Sequence, residues 1–230
     1  NISLAKAIRS AGLDHLKYEA MCEYASLDEE ALEEIVSAGY YKIRFGIETG
    51  SDKVAEKMTL GKKHDLDKLR SMVKFGKSLG MLFYGTISIG GLGSSREEDQ
   101  KTVDLVYEMA SKGWLDEIQV SINTPQPGTD FYNSCMEESL LTTPTSWEGF
   151  DGNGQVVVHY PHYPAEEIQA NFKKALSAFD FGKEKAQSRA FSNHAKSSFN
   201  LIPDGARVLL LRSVRNWMIR LILENLNKKT

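Results

Sequence analysis

Apolar positions along the chain change repeatedly from helical spacing to the alternation or short apolar run that is typical of a strand. Each of four helical patterns ends in a Ser-x-Gly tripeptide, at Gly12, Gly39, Gly80 and Gly113. Glycine adopts the positive φ that ends a helix at little cost, and a strand-like run follows within a few residues. The hydrophobic pattern therefore predicts a repeated helix-turn-strand unit.

The repeat predicts an α/β fold with a parallel sheet, because strands that alternate with helices are joined by crossover connections. The predicted strands are Leu16–Met21, Tyr41–Ile47, Met81–Ile89 and Glu117–Ile122. The predicted helices are residues 2–9, Leu27–Ser37, Asp52–Met58, Leu66–Leu79 and Arg96–Ser111. Ser26 and Glu29 have the spacing of a capping box at the start of the second helix. Four strands do not close a barrel, so the sheet is either small and open or the C-terminal part of a larger barrel.

After the fourth strand, the alternation of helices and strands stops. The segments that follow this strand are a rigid loop at Thr124–Thr129, an aromatic loop region over residues 142–164, a helix over Ala165–Gly182 and a last helix over residues 206–226. The last helix carries an apolar stripe, which we expect to pack against protein rather than lie on a membrane. We therefore divide the chain into residues 1–140, which form the sheet, and residues 141–230, a C-terminal helical extension.

Composition places the protein among globular chains that act on small molecules or proteins. The 230 residues are 41% hydrophobic and 26% charged, with a net charge of -3, so nothing attracts the chain to nucleic acid. No apolar run is long enough to span a membrane. The two cysteines, Cys22 and Cys135, form no zinc or disulfide pattern and favour a cytoplasmic location. Asn1 is followed at once by a helical pattern, so we interpret the chain as a fragment of a longer protein.

The sharpest candidate for chemistry is Glu48, which stands between two glycines where the second strand ends. The carboxyl ends of parallel strands are where α/β proteins bind ligands, and a carboxylate there accepts hydrogen bonds from ribose hydroxyls or an ammonium group. For an isolated Gly-x-Glu pattern, capping of the next turn or an ion pair with Lys53 is the favoured alternative. Glu19, near the end of the first strand, faces either the same cavity or solvent.

Two further patterns give weaker signals. Gly90–Ser94 before the helix at Arg96 resembles a phosphate-binding turn, but its spacing matches neither common motif and acidic residues follow it. His159 and His162 form a His-x-x-His loop pair, for which solvent exposure is favoured over metal binding.

Three ordered stretches together resemble the radical S-adenosylmethionine enzymes, especially the branch that often carries an N-terminal cobalamin-binding domain. They are Gly46–Asp52 (Gly-Ile-Glu-Thr-Gly-Ser-Asp), Gly91–Asp99 (Gly-Leu-Gly-Ser-Ser-Arg-Glu-Glu-Asp) and Thr124–Tyr132 (Thr-Pro-Gln-Pro-Gly-Thr-Asp-Phe-Tyr). Each stretch alone is a weak signal, whereas their order and spacing over about residues 1–140 are specific.

The resemblance implies a partial (βα)6 barrel of which this chain holds the third to sixth strands. It implies that Glu48 lies near the ribose of S-adenosylmethionine and Glu19 near its amino group, and it also assigns Thr49 and Ser88 to the cofactor site. The basic residue that the family places after the glutamate turn falls on Leu60, so Lys62 becomes the candidate for the methionine carboxylate.

The three cysteines of the family motif CxxxCxxC, which hold a [4Fe-4S] cluster, are absent from this chain. The resemblance therefore implies that the cluster ligands lie in a preceding segment of the same protein, and that this chain, inactive alone, binds S-adenosylmethionine and a small-molecule or lipid-like substrate. The implied chemistry is radical generation or methyl transfer through cobalamin. The alternatives are a cluster-free scaffold or binding module and, less favoured, a barrel lyase or isomerase using Glu48 as base. We also expect the first strand to have an unpaired edge and the isolated segment to aggregate.

Overall fold

The computed structural model describes residues 2–59, 64–142, 147–150 and 155–200. The residues up to Ala186 form one compact unit, and those from Gln187 belong to a second. The sheet and the candidate site lie in the first unit. Lys62 and the predicted helix over residues 206–226 lie outside the described residues, and the expected boundary near residue 140 stays a prediction.

The predicted alternation of helices and strands is confirmed. The strands are β1 (Tyr18–Met21), β2 (Tyr40–Glu48), β3 (Leu82–Ile89) and β4 (Glu117–Ile122). The helices are α1 (Ile2–Ser10), α2 (Glu29–Ser37), α3 (Asp52–Lys57), α4 (Leu66–Ser78), α5 (Arg96–Ser111), α6 (Asp130–Glu137) and α7 (Ala165–Asn200). Short 3-10 helices cover Tyr24–Ser26 and Trp147–Phe150. Among the described residues, no helix is both long and apolar enough to cross a membrane.

The four strands form one parallel sheet in the order β1-β2-β3-β4. Consecutive strands are neighbours, as expected when each strand is followed by a crossover helix. All the carboxyl ends of the strands therefore meet at one edge of the sheet. Within the described part of the chain β1 pairs only with β2, which agrees with the expected unpaired edge.

The predicted glycine turns are confirmed by their backbone angles. The four glycines Gly12, Gly39, Gly80 and Gly113 have φ between 68° and 95°. This region is strained for residues with a Cβ, so glycine at each position ends the helix without that cost.

The predicted capping box at α2 is wrong. The helix begins at Glu29, and the side chain of Asp28 caps it by accepting a hydrogen bond of 2.8 Å from the backbone N–H of Ala31. Ser26 instead ends a 3-10 turn and donates to the carbonyl of Glu23. The extra turn places Ser26 two residues too early to cap the helix.

One face of the sheet packs against the helices and forms the larger core. Ile43, Phe45 and Ile47 of β2 and Phe83 and Ile87 of β3 alternate along their strands and are at most 1% exposed. The rings of Phe45 and Phe83 lie 5.8 Å apart in an edge-to-face arrangement. Burial of each such side chain contributes about 1.5–3 kcal/mol, so this face fixes the register of the sheet.

A second apolar cluster joins the end of the sheet to the chain that follows it. Ile89 and Ile122 pack there with Tyr163 and Ile168. The last of these residues lies on α7, which continues well beyond the predicted end at Gly182. A Cβ at Gly182 would lie 2.6 Å from the Cβ of Ala110, so this glycine permits close packing against α5 and does not end the helix.

We expect Gly76→Ala to destabilise the protein, although alanine in a helix interior is normally more stable than glycine by about 1 kcal/mol. A Cβ at Gly76 would lie 2.4 Å from Cζ of the buried Phe83 ring, so the close contact between α4 and β3 would have to open. Overpacking of this kind costs about 1–3 kcal/mol. Urea unfolding followed by circular dichroism measures the change. Ser71→Ala, on the exposed side of the same helix, is the control and should leave the unfolding midpoint unchanged or raise it.

Candidate functional site

The face of the sheet opposite the larger core carries polar side chains. In β2, Lys42 and Arg44 alternate with the buried apolar residues, and the strand pairing places Glu19 beside Lys42 and Tyr84 beside Arg44. This polar face carries Glu19, Lys42, Arg44, Tyr84, Thr86, Ser88, Glu117, Gln119 and Ser121, and the exposed Met21 and Leu82 lie in register with Arg44 and Lys42. Its side chains suit a hydrophilic ligand rather than a second apolar layer.

Opposite charges are paired across the polar face. Lys42 Nζ donates to Glu117 Oε1 at 2.7 Å and lies 4.0 Å from Glu19 Oε2. Arg44 Nη2 is 3.3 Å from Glu19 Oε2, and its guanidinium lies 4.7 Å from the centre of the Tyr84 ring. These contacts connect side chains of all four strands across the polar face.

Hydrogen bonds from the neighbouring strand β2 hold the Glu19 carboxylate. The hydroxyl of Tyr41 donates to Glu19 Oε1, and this hydrogen bond, with the nearby Lys42 and Arg44, lowers the pKa of the Glu19 carboxyl. The group is therefore an anion at neutral pH. Its assignment to the amino group of the cofactor stays a prediction.

Glu48 is the last residue of β2 and has φ of 65°, within the left-handed region that favours glycine. The pairing of β2 with β3 shifts register between Gly46 and Glu48. A bulge of this kind re-aims a side chain at a strand end. Ser88 is half-buried on β3, opposite Ser121, on the polar face. The structure thus places Glu48 and Ser88 on neighbouring strands close to the same edge.

The turn after Glu48 is fixed by α5. Thr49 is buried, and its hydroxyl lies 3.2 Å from that of Thr102 and accepts the N–H of Ser51. The N–H of Gly50 donates to Thr102 Oγ1 at 2.9 Å, and the Ser51 hydroxyl donates to the Glu98 carboxylate. These bonds direct the Thr49 hydroxyl into the protein, and its assignment to the cofactor site stays a prediction.

The loop after β3 is held by a buried carboxylate that the sequence analysis did not single out. Asp99 is 1% exposed and accepts hydrogen bonds from the Gly90 N–H at 2.8 Å and from the Ser94 hydroxyl at 2.9 Å. Burial raises the pKa of Asp99, and its hydrogen-bond donors oppose that rise. The sequence feature that could have identified Asp99 is its place as the last residue of the Gly91–Asp99 stretch. The Gly90 N–H and the Ser94 hydroxyl of this turn are therefore already bonded to a carboxylate, and the phosphate-binding interpretation of Gly90–Ser94 stays a weak prediction.

A cavity of about 390 Å³ lies where the loops after β2, β3 and β4 converge. Each of the three loops contributes to the lining, through Met58, Leu92 and Asn123. Asn123 Nδ2 is 3.5 Å from Met58 Sδ. The other residues that line it are Lys57, Thr59, Thr124, Gln126, Thr129, Asp130, Phe131 and Ser134. The volume is within the range of small-molecule sites. The Pro-Gly-rich stretch after β4 therefore forms one wall of a cavity at the ligand-binding edge of the sheet.

The donor set of the chain does not fit an iron-sulfur cluster. No group of three or more His, Cys, Asp or Glu side chains in the described residues is arranged to hold a metal ion. Both cysteines are free thiols, and burial raises the pKa of Cys22 and of Cys135 to about 11. In the His-x-x-His pair, the ring of His162 contacts the protein backbone, with Nε2 lying 3.1 Å from the carbonyl oxygen of Ser94.

We expect both thiols to react slowly with iodoacetamide at pH 8. A thiol with a pKa near 11 is about 0.1% thiolate at that pH, roughly 100-fold less than a thiol at 9, and the thiolate is the reactive form. Mass spectrometry of labelled peptides measures the rate, which should rise about tenfold per pH unit up to pH 10. The same reaction in concentrated urea provides the control. Equal rates in the folded and unfolded protein would contradict the burial of the two thiols.

Comparison with known proteins gives related sequences but no matching family model. The chain is 26% identical over 193 residues to an uncharacterized methyltransferase of Pyrococcus horikoshii, covering 84% of this chain and 40% of that protein. It is also 26% identical over 121 residues to the cytidylyl-2-hydroxyethylphosphonate methyltransferase of Streptomyces wedmorensis, covering 50% of this chain and 22% of the relative. The chain thus spans less than half the length of these curated relatives.

Solved structures show the same fold. The radical S-adenosylmethionine methyltransferase TsrM of Kitasatospora setae, solved with cobalamin and a [4Fe-4S] cluster bound, aligns with a TM-score of 0.55 at 16% identity over 74% of this chain and 34% of its own. The radical enzyme coproporphyrinogen III oxidase of Escherichia coli aligns with a TM-score of 0.53 at 11% identity, over 78% of this chain and 36% of that one. The four parallel strands and their helices therefore have the fold of part of a radical S-adenosylmethionine enzyme barrel, and the sequence is similar to two methyltransferases.

Proposed function

We propose that this chain is the part of a radical S-adenosylmethionine methyltransferase that binds S-adenosylmethionine and faces the substrate. Three lines of support converge: the ordered sequence motifs, the fold shared with two radical enzymes, and the methyltransferases among the relatives. Bound S-adenosylmethionine supplies the methyl group in such a reaction. The residues of this chain bind and orient it.

The conformation of Glu48 carries the proposal. A non-glycine residue with φ of 65° costs about 1–3 kcal/mol, and such a conformation persists where the surrounding structure requires it. It ends β2 at the edge where parallel sheets bind ligands. The two hydroxyls of a ribose donate well to one carboxylate, so we assign Glu48 to the ribose of the cofactor.

The remaining predicted residues have smaller parts in this proposal. Ser88 offers a hydroxyl from the adjacent strand, and Thr49 acts by holding the turn that positions Glu48. The assignment of Glu19 to the cofactor amino group has the least support, because Glu19 pairs with Lys42, six residues before Glu48 on β2, and its carboxylate is already bonded to Tyr41 and Arg44. Lys62 keeps its proposed role toward the methionine carboxylate.

The cavity beside these strand ends suits a small-molecule substrate, including a lipid-like one, because it mixes apolar and polar walls. The described residues offer no ligand set for the [4Fe-4S] cluster, so we assign no step of the cluster chemistry to this chain. We assign no described residue to cobalamin. The share of the reaction proposed for this chain is binding and orientation.

We expect Glu48→Gln in the full-length protein to raise the dissociation constant for S-adenosylmethionine by about 10- to 150-fold. The reason is the loss of a charge-assisted hydrogen bond, worth roughly 1.5–3 kcal/mol. Isothermal titration calorimetry measures the affinity, and the visible absorbance of the protein reports whether any cluster is retained. Glu56→Gln, an exposed change of the same kind on α3, serves as the matched control.

Unchanged affinity in Glu48→Gln would remove this residue from the cofactor site. Failure of the unaltered full-length protein to bind S-adenosylmethionine would overturn the proposal as a whole and favour the cluster-free scaffold module. An equal loss in the Glu56→Gln control would show that the effect is one of net charge and not of a contact.

A further inference from the structure

The chain between α6 and α7 is fastened to the loop that forms one cavity wall. The hydroxyl of Tyr160 donates to the carbonyl oxygens of Gly90 and Gly91, at 3.3 Å and 3.1 Å. Tyr160 is 4% exposed and belongs to the second apolar cluster. Residues about 70 positions apart in sequence therefore meet at the end of β3.

A buried chain of hydrogen bonds continues this attachment from α7 to α5. Asn171 Nδ2 donates to the Tyr163 hydroxyl at 2.9 Å, and this hydroxyl donates to Asp99 Oδ2 at 2.9 Å. Asp99 in turn accepts the Gly90 N–H and the Ser94 hydroxyl. Asp99, Tyr163 and Asn171 are each at most 1% exposed.

Polar groups this deeply buried are costly unless they are hydrogen-bonded, and the cost of leaving one unpaired is about 1–3 kcal/mol. Each member of the chain is satisfied by the next, so the loop, α5 and α7 hold a single arrangement together. An apolar contact would permit small sliding movements that this directional network does not.

The loop held by this network has little room to move. A Cβ at Gly91 would lie 2.4 Å from Met58 Sδ and 2.9 Å from Asn123 Nδ2, so the loop backbone touches two residues that line the cavity. Leu92, the next residue, lines the cavity itself. A shift of the loop would therefore change the cavity wall directly.

We propose that Asp99 and Tyr163 form a positioning pair that holds the Gly90–Ser94 loop, and with it one wall of the cavity, in the arrangement that binds S-adenosylmethionine at the strand ends and the substrate beside it. Neither residue lines the cavity. The pair acts through the loop backbone, with Asn171 fixing the Tyr163 hydroxyl. The inference about ligand binding rests on the proposed function, whereas the inference about the loop rests on the contacts alone.

The test compares Tyr163→Phe with Glu167→Gln in the full-length protein. The first change removes one hydroxyl and keeps the ring. The second breaks the ion pair between Glu167 and Arg96, which also joins α7 to α5 but is largely exposed to solvent. Hydrogen exchange followed by mass spectrometry reports on the amides of residues 90–94, and calorimetry reports on affinity for S-adenosylmethionine.

We expect Tyr163→Phe to speed exchange of the loop amides, that of Gly90 above all, by about tenfold, with β1 and β2 unchanged. The affinity for S-adenosylmethionine should fall about five- to tenfold. Glu167→Gln should leave both measurements as in the unaltered protein. If Tyr163→Phe does not fold, Asp99→Asn, which keeps the shape and one acceptor, is measured in the same way.

Unchanged loop exchange in the variant that folds would overturn the inference. Faster exchange with unchanged affinity would also overturn it, because the pair would then stabilise the fold without positioning the wall for the ligand. If the unaltered protein binds no S-adenosylmethionine, the proposed function fails, and the exchange comparison alone decides whether the pair holds the loop.

Discussion

The candidate site depends on a carboxylate buried in protein, that of Asp99. It lies in the first turn of α5 and binds the Gly90 N–H, the Ser94 hydroxyl and the Tyr163 hydroxyl. One turn further along the same helix, Thr102 receives the N–H of Gly50 from the turn after β2. A single helix therefore sets the positions of two loops at the carboxyl edge of the sheet. Since buried polar groups are tolerated only when they are paired, these few side chains fix the site more strictly than apolar packing would.

The two faces of the sheet differ in their side chains, because one is packed with apolar residues and the other carries polar ones. The face under the helices is closely packed around Phe45 and Phe83, where even the Cβ of an alanine at Gly76 would meet the phenylalanine ring. The polar face carries paired charges such as Lys42 with Glu117. Because side chains alternate along a strand, one residue of register slip would exchange these faces. The packed face thus holds the polar groups in place, and Glu48 lies where β2 leaves this regular pattern.

This chain covers only part of the known proteins that it resembles. It aligns with about a third of each radical enzyme chain, and burial, partial at Cys22 and complete at Cys135, raises the pKa of both thiols, so that they are protonated at neutral pH. The two thiols match no cluster motif, so the part of the reaction proposed for this chain is binding and orientation. The strand ends, the cavity and the loops that the network fixes are the features that would serve such a role.

Most of the fold followed from the sequence, because periodicity and glycine turns are local signals. The positive φ at Gly12 and its three counterparts, the order of strands and helices, and the placement of Glu48 at a strand end were all predicted and are present. The cap of α2 and the end of α7 were not, because a 3-10 turn that ends at Ser26 moves the cap to Asp28, and because Gly182 packs closely against Ala110 instead of ending the helix. Asp99 looked like an ordinary acidic residue at a helix start, and only the tertiary structure brings Tyr163 and Gly90 to it from distant parts of the chain. Sequence pattern determines which elements form, whereas the partners of a buried polar group are decided by the packing of those elements in space.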